Sequence, residues 1–202
     1  VVYEDEGLMV VNKPSGIAVH GGSGVAYGLI EGLRAATGKK YLELIHRIDR
    51  DTSDLVMISK KRSTLKTLQD LLREHKIQKT YAAIVKGQVS LDKQLIDAPL
   101  HRYELANGER RVRVSKEGKA SKTQWNVAER FMHASLVYAS PLSGRTHQIR
   151  VHGLSIGHPL VGDDKYGHNT DYKGPEARRL CLHAMRLDIP NYPSIEAPMP
   201  ED

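Results

Sequence analysis

The stretch from 121 to 142, "SKTQWNVAERFMHASLVYASPL", restricts the fold more than any other. Two runs rich in β-branched and aromatic residues follow each other with almost nothing between them. A connection that short leaves no room for a crossover helix, so the two strands must pair antiparallel. The same economy recurs at the start of the chain. There "VVYEDEGLMVVNKPSG" reads as two short strands around Asp5-Glu6-Gly7, stopped at Asn12-Lys13-Pro14. Further strands are expected through "LVMISKK" and "TYAAIVKGQV", with "HAMRLDI" as the last. Helices are fewer. One spans about Tyr27 to Ala36. A second runs from Ser63, its N-cap, to His75, with Leu65, Leu68, Leu71 and Leu72 at helical spacing. A third covers "HQIRVHGLSIG", with Thr146 as N-cap and Gly157 as its stop. Strands outnumber helices and short turns join many of them, which gives an α+β class with a mixed, mostly antiparallel sheet.

The 202 residues suffice for one substantial domain or for two small lobes sharing a sheet. A single cysteine, Cys181, excludes an intramolecular disulfide framework and fits a reducing, cytoplasmic setting. No apolar run reaches the roughly 18 residues needed to span a bilayer, and the first residues lack the features of a signal peptide. The formal charge of +6 favours nucleic acid only weakly by itself. Clustering strengthens the case: between 102 and 122 Lys and Arg outnumber Glu, including Arg110, Arg111 and Arg113. That stretch is either an RNA-facing surface or a solvated hairpin.

The acidic segment "HRIDRDTSDL" (46–55) places Asp49, Asp51 and Asp54 within six positions. It reads as a divalent-metal site of a phosphodiesterase, or as one working carboxylate with structural or solvated neighbours. It lacks the central glycine and the final Glu of a calcium loop. The ten histidines are dispersed and form no zinc spacing. "HGGSG" with Ser23 has no assignable acid–His partnership.

Four segments in order carry a more specific signal: "NKPSG" (12–16), "HRIDRDTSDL", Tyr81 in "KTYAAIV", and "GRTHQIRVH" (144–152) continued by "GHPLVGDDKYG". Together they resemble the RluA family of RNA pseudouridine synthases. The segments "AVHGGSG", "GLIEGLR" and "GERRVRVSKEGKASKT" resemble the branch that acts on large-subunit (23S) ribosomal RNA. The resemblance spans nearly all of the chain. It implies the pseudouridine synthase fold: a sheet in two halves with flanking helices and a central cleft holding the active site. It also implies a catalytic domain over 1–202, without the small N-terminal S4-like RNA-binding domain usual in that branch, acting as a monomer. The reaction implied breaks the N1–C1′ bond of a uridine, turns the uracil and rejoins it through C5. That isomerisation is redox-neutral and calls for neither cofactor nor metal.

The resemblance assigns roles residue by residue. Asp49 is the aspartate of H-R-x-D, the nucleophile at C1′ or base at C2′. A buried carboxylate tends to protonate, so a cation must keep it charged; the second arginine of R-T-H-Q-I-R, Arg150, is that partner. Tyr81 stacks on the uracil, Ile149 packs behind it, and Arg47 enters the RNA as the uridine is extruded. Arg145 and His46 join the substrate-binding set, His46 by ordering the loop, while Lys13 is structural or phosphate-facing. One departure stands out: the family usually has glycine at the position of Asp54, which suggests a close backbone approach or an unusual dihedral angle there. Two other readings stay open on the residues alone: an RNA-binding module without catalysis, and a metal-dependent phosphodiesterase.

Overall fold

A computed structural model of the chain describes residues 1–13, 28–39, 41–46, 54–167, 172–175 and 177–199. In chain order the first elements are β1 (Tyr3–Glu4), β2 (Leu8–Lys13), α1 (Leu29–Thr37), β3 (Glu43–Leu44), β4 (Asp54–Ser59) and α2 (Arg62–Arg73). Next come β5 (Gln78–Lys86), β6 (Lys93–Asp97), β7 (Leu100–Glu104), β8 (Arg110–Val114), β9 (Lys122–Arg130) and β10 (Ala134–Pro141). The last are α3 (Gln148–Ser155), β11 (Leu182–Asp188) and β12 (Ile195–Glu196). The chain divides into two units, Val1–Lys79 with His183–Asp202, and Thr80–Leu182.

In the first unit the strand order is β1-β2-β4-β3, with all three pairings antiparallel. The side-chain period of two sorts β2 and β4 into faces. Met9 lies opposite Ile58 and Val11 opposite Val56, and these four close a core with Ile30 of α1 and Leu42. The alternate residues Leu8, Val10, Leu55 and Met57 are buried as well. β4 is therefore buried along its whole length, which explains the unbroken apolar run in its sequence. α2 packs on β4, with Leu68 at 1% exposure as its anchor; burying such a side chain is worth about 1.5–3 kcal/mol. Asp5 fixes the β1–β2 turn by accepting the amides of Gly7 and Leu8, each at 2.8 Å.

In the second unit β5-β10-β9-β6 form an antiparallel sheet, and β7–β8 make a separate two-stranded hairpin. Trp125, Val137, Val85 and Leu160 are fully buried in its core, and Ile149 brings α3 onto that core. The next residue but one, Val151, packs the other way, with Leu100, Val112 and Tyr166. α3 is thus buried on more than one side, and every residue from 148 to 153 is buried.

Several expectations need correction. Ser63 does not cap α2: it lies inside the helix, and Lys61 holds the cap position without a side-chain capping bond. Thr146 does not cap α3 either. The residue before the helix is His147, in the left-handed region at φ 51. The start is fixed instead by Gln148, whose Oε1 accepts the Ser143 hydroxyl at 2.7 Å and the Arg145 amide at 3.2 Å. Its Nε2 donates to the Lys122 carbonyl (2.8 Å) and to Thr123 Oγ1 (3.0 Å). Gly157 does follow the helix end, at φ 81. The strand through "LVMISKK" stops at Ser59, and β12 follows the strand expected to be last. Short β3 and β6 were not foreseen.

Candidate active site

Arg150 sits in α3 with 4% of its side chain exposed, opposite Asp163, whose side chain is fully buried. Nε donates to Oδ2 at 2.9 Å and Nη2 to Oδ1 at 2.7 Å, a two-pronged pair that fixes the guanidinium plane. Asp163 is itself held, since Oδ1 also accepts the amides of Lys165 (3.1 Å) and Tyr166 (3.2 Å). The guanidinium carbon lies 5.1 Å from the Tyr166 ring centre. An arginine locked on a short buried helix cannot swing, so it presents its charge in one place.

Tyr166 links this helix to the hairpin. Its oxygen accepts the Val112 amide at 3.0 Å and shares a hydrogen bond with His147 Nδ1 at 2.7 Å. Burial raises the pKa of the phenol, while the Val112 amide and Arg150 pull the other way, so it stays neutral. None of Asp163, Tyr166 and His147 was singled out for the site. The signal was present, since "GDDKYG" belongs to the motif run, but nothing in the spacing says which aspartate faces Arg150.

Beside Tyr166 lies a groove of about 660 Å³, lined among others by Tyr103, Arg111, Arg113 and Lys165. The basic stretch is therefore a hairpin that forms one wall of a mixed groove, where Val112, Val151 and Leu154 lie beside the basic groups and Lys165 pairs with Glu109 at 3.6 Å. Its three arginines differ. Arg113 is exposed, with its guanidinium 5.1 Å from the Tyr103 ring centre. Arg110 is exposed and 3.8 Å from Glu104. Arg111 is half-buried, donates to the Lys165 carbonyl at 3.0 Å and pairs with Glu109 at 3.5 Å, so it braces the hairpin.

In the first unit, Arg47, Asp49 and Asp51 lie outside the described residues. Their neighbours at 46 and 54 do not. Asp54 is no solvated loop charge: it opens β4 opposite Lys13 and is fully buried. Its Oδ1 accepts the Leu55 amide at 2.7 Å and the Lys79 ammonium at 3.2 Å. Replacing Asp54 would take a carboxylate from a nearly buried lysine, at a cost in stability. Lys13 is also fully buried, which fits the structural alternative given for it. His46 accepts the Met57 amide through Nε2 at 3.1 Å, tying the start of the acidic segment to β4.

Tyr81 lies in β5 opposite Ala139, half-buried, and packs against the core of the second unit. Ile149 is core at 6% exposure. Arg145 is exposed and donates through Nε to the Ala120 carbonyl at 3.3 Å. Among the described residues no three His, Cys, Asp or Glu side chains are grouped to hold a metal ion, and no helix is long and apolar enough to cross a membrane.

The fold and these segments coincide with a known class. Residues 7–155 match the family model for RNA pseudouridylate synthase, and the chain belongs to that family. Over 98% of its length it is 50% identical to ribosomal large subunit pseudouridine synthase C of Yersinia pestis. It is 48% identical over its whole length to the protein of that name from Escherichia coli strain K12. The chain spans 65% and 66% of the length of these two relatives. Human RNA pseudouridylate synthase domain containing 1 superposes with a TM-score of 0.81 at 26% identity, covering 99% of this chain and 82% of that one. The α+β pseudouridine synthase fold is therefore the fold of this chain.

Proposed function

We propose that the chain is the catalytic domain of a cytoplasmic enzyme that isomerises uridines to pseudouridine in large-subunit (23S) ribosomal RNA, as a monomer and without cofactor. The observation that carries this reading is identity of about one half, along the whole chain, with relatives named for that activity. Asp49 engages the ribose at C1′ or C2′ while the uracil is free, and Arg150 keeps it ionised. The rigid seat that Asp163 gives Arg150 supports this role, since a cation that must hold a carboxylate charged works best when its position is fixed beforehand. Tyr81 stacks on the base, Arg47 takes its place among the phosphates, and Ile149, Arg145 and His46 shape the site. Arg110 and Arg113, exposed on the hairpin, contact RNA phosphates.

The test is pseudouridine formation on unmodified 23S transcript by tritium release from labelled uridine. Wild type is expected to convert specific sites at full rate in excess EDTA. Asp49→Asn, nearly isosteric, is expected to bind RNA and convert none, because an amide neither attacks C1′ nor takes a C2′ proton. Full activity of Asp49→Asn, or loss of wild-type activity with chelator, refutes the reading.

A further inference from the structure

We propose that Tyr166 is a positioning residue for Arg150: its phenol holds the guanidinium in one place and ties it to the β7–β8 hairpin. The consequence for turnover rests on the role of Arg150 proposed above. All of the groups involved lie in the second unit. Tyr166 is buried and attached at both ends. At its backbone end, its amide donates at 3.2 Å to Asp163 Oδ1, on the carboxylate that pairs with Arg150. The Gly167 amide closes the same turn on the Asp163 carbonyl at 2.9 Å. At its far end, the phenol oxygen accepts the Val112 amide of β8 at 3.0 Å and meets His147 Nδ1 at 2.7 Å.

Between those two ends the guanidinium carbon of Arg150 stands over the ring, 5.1 Å from its centre. Asp163 takes Nε and Nη2 along one edge of the guanidinium, which fixes it within its own plane. Tilting about that edge remains, and the ring opposes it, because the cation loses attraction as it leaves the aromatic face. A ring held at one end only would swing aside with the charge. Held at both ends, it stays. The hydroxyl also reaches the start of Arg150's own helix, since His147 is the residue before α3. Val151, next to Arg150, packs with Leu100, Val112 and Tyr166. Exposed Arg113 follows Val112 in β8, so the strand proposed to meet RNA phosphates also anchors the phenol. A catalytic charge displaced by about 1 Å can cost ~100-fold in rate, so loosening this support acts on turnover rather than on RNA affinity.

The experiment compares wild type with Tyr166→Phe, which removes the hydroxyl and keeps the ring, and with Tyr166→Leu, which removes both. It reads exchange of the Arg150 Nε–H with water by heteronuclear NMR, the single-turnover rate on 23S transcript at saturating enzyme, and the RNA Kd. The melting temperature reports folding. Tyr166→Phe is expected to speed the exchange about threefold or more and to slow turnover by a similar factor, with the Kd within about threefold of wild type. Tyr166→Leu is expected to change both by about tenfold or more, so that the phenylalanine recovers part of each loss. A purely structural tyrosine behaves otherwise: the melting temperature falls, yet exchange and turnover of the folded variants match wild type, and that result overturns the proposal. Exchange and rate must move together. Either one changed alone, or a loss confined to the Kd, overturns it equally. Should Tyr166→Leu fail to fold, Tyr166→Phe decides by the same criteria. Failure of the underlying activity looks different, because wild type itself then forms no pseudouridine, while the exchange still shows whether Tyr166 holds Arg150.

Discussion

Removing Asp163 probes the support of Arg150 directly. Its carboxylate takes two charge-assisted bonds from the guanidinium, at 2.9 and 2.7 Å, with neither side chain more than 4% exposed. Breaking a buried pair from one side costs about 3–5 kcal/mol, mainly because the remaining charge stays desolvated. For Asp163→Ala we take about 4 kcal/mol. With a urea m-value of about 2 kcal/mol/M, the midpoint moves down by about 2 M. Asp163→Asn is milder. Its carbonyl keeps the amides of Lys165 and Tyr166 and one guanidinium proton, but its NH₂ meets the Arg150 Nε–H, donor against donor. One charge-assisted bond is lost, about 1.5–3 kcal/mol, or roughly a 1 M shift. The decisive comparison is a double-mutant cycle with Arg150→Met and Asp163→Leu. When both charges go together no ion is stranded, so the double variant is expected to be more stable than the sum of the singles by about 2 kcal/mol or more. Additive costs, or an Asp163→Ala loss below about 1 kcal/mol, would show that the pair does not hold the helix, and Arg150 would need another source of rigidity.

His152 is fully buried, with Nε2–H donating to the Ala98 carbonyl at 2.9 Å and Nδ1 accepting from Thr123 at 2.7 Å. Burial lowers its pKa from the ordinary 6.5, against the opposing pull of the Ala98 carbonyl and Asp97. The unfolded chain therefore takes up a proton below about pH 6.5 that the folded chain refuses, so stability is complete above that pH and falls as the pH drops. Urea midpoints at pH 7.5 and 5.5 should fall further for wild type than for His152→Gln; equal slopes count against a neutral buried imidazole. Tyr81→Phe is expected to keep RNA affinity, and Tyr81→Leu to lose about 1–3 kcal/mol of stacking; unchanged Kd and turnover in both would make Tyr81 a core residue only. Charge reversal at Arg110 or Arg113 should weaken RNA binding and flatten its salt dependence without changing the uridine chosen, whereas Arg111→Glu should mainly lower the urea midpoint. A salt-independent Kd for wild type would remove the hairpin from the RNA interface.

What could be read in the sequence was whatever depends on period and local chemistry. β9 and β10 were legible because the short connection between the strand-like runs, residues 131–133, permits only a hairpin. α2 was legible because Leu68 and its neighbours repeat at helical spacing on one half-buried face. α3 showed the opposite case: buried from 148 to 153, it has no polar face to mark a period, and only the end signals at Thr146 and Gly157 indicated a helix. Its start was misread because a Ser/Thr rule looks for a short local cap, while Gln148 reaches back to 143 and 145 and across to β9. The same limit governed the site. The arginine was identified by its place in a motif, but its partner thirteen residues on depends on how the chain returns past α3. Whether Asp54 is structural or solvated stayed open in the sequence for a related reason. A carboxylate at the edge of a polar segment resembles a solvated charge until the register puts it opposite Lys13 and beside Lys79. Motifs identify the reacting groups because chemistry constrains residue type at fixed positions. The groups that hold them still are set by three-dimensional neighbours, and any acid of the right reach can fill that place.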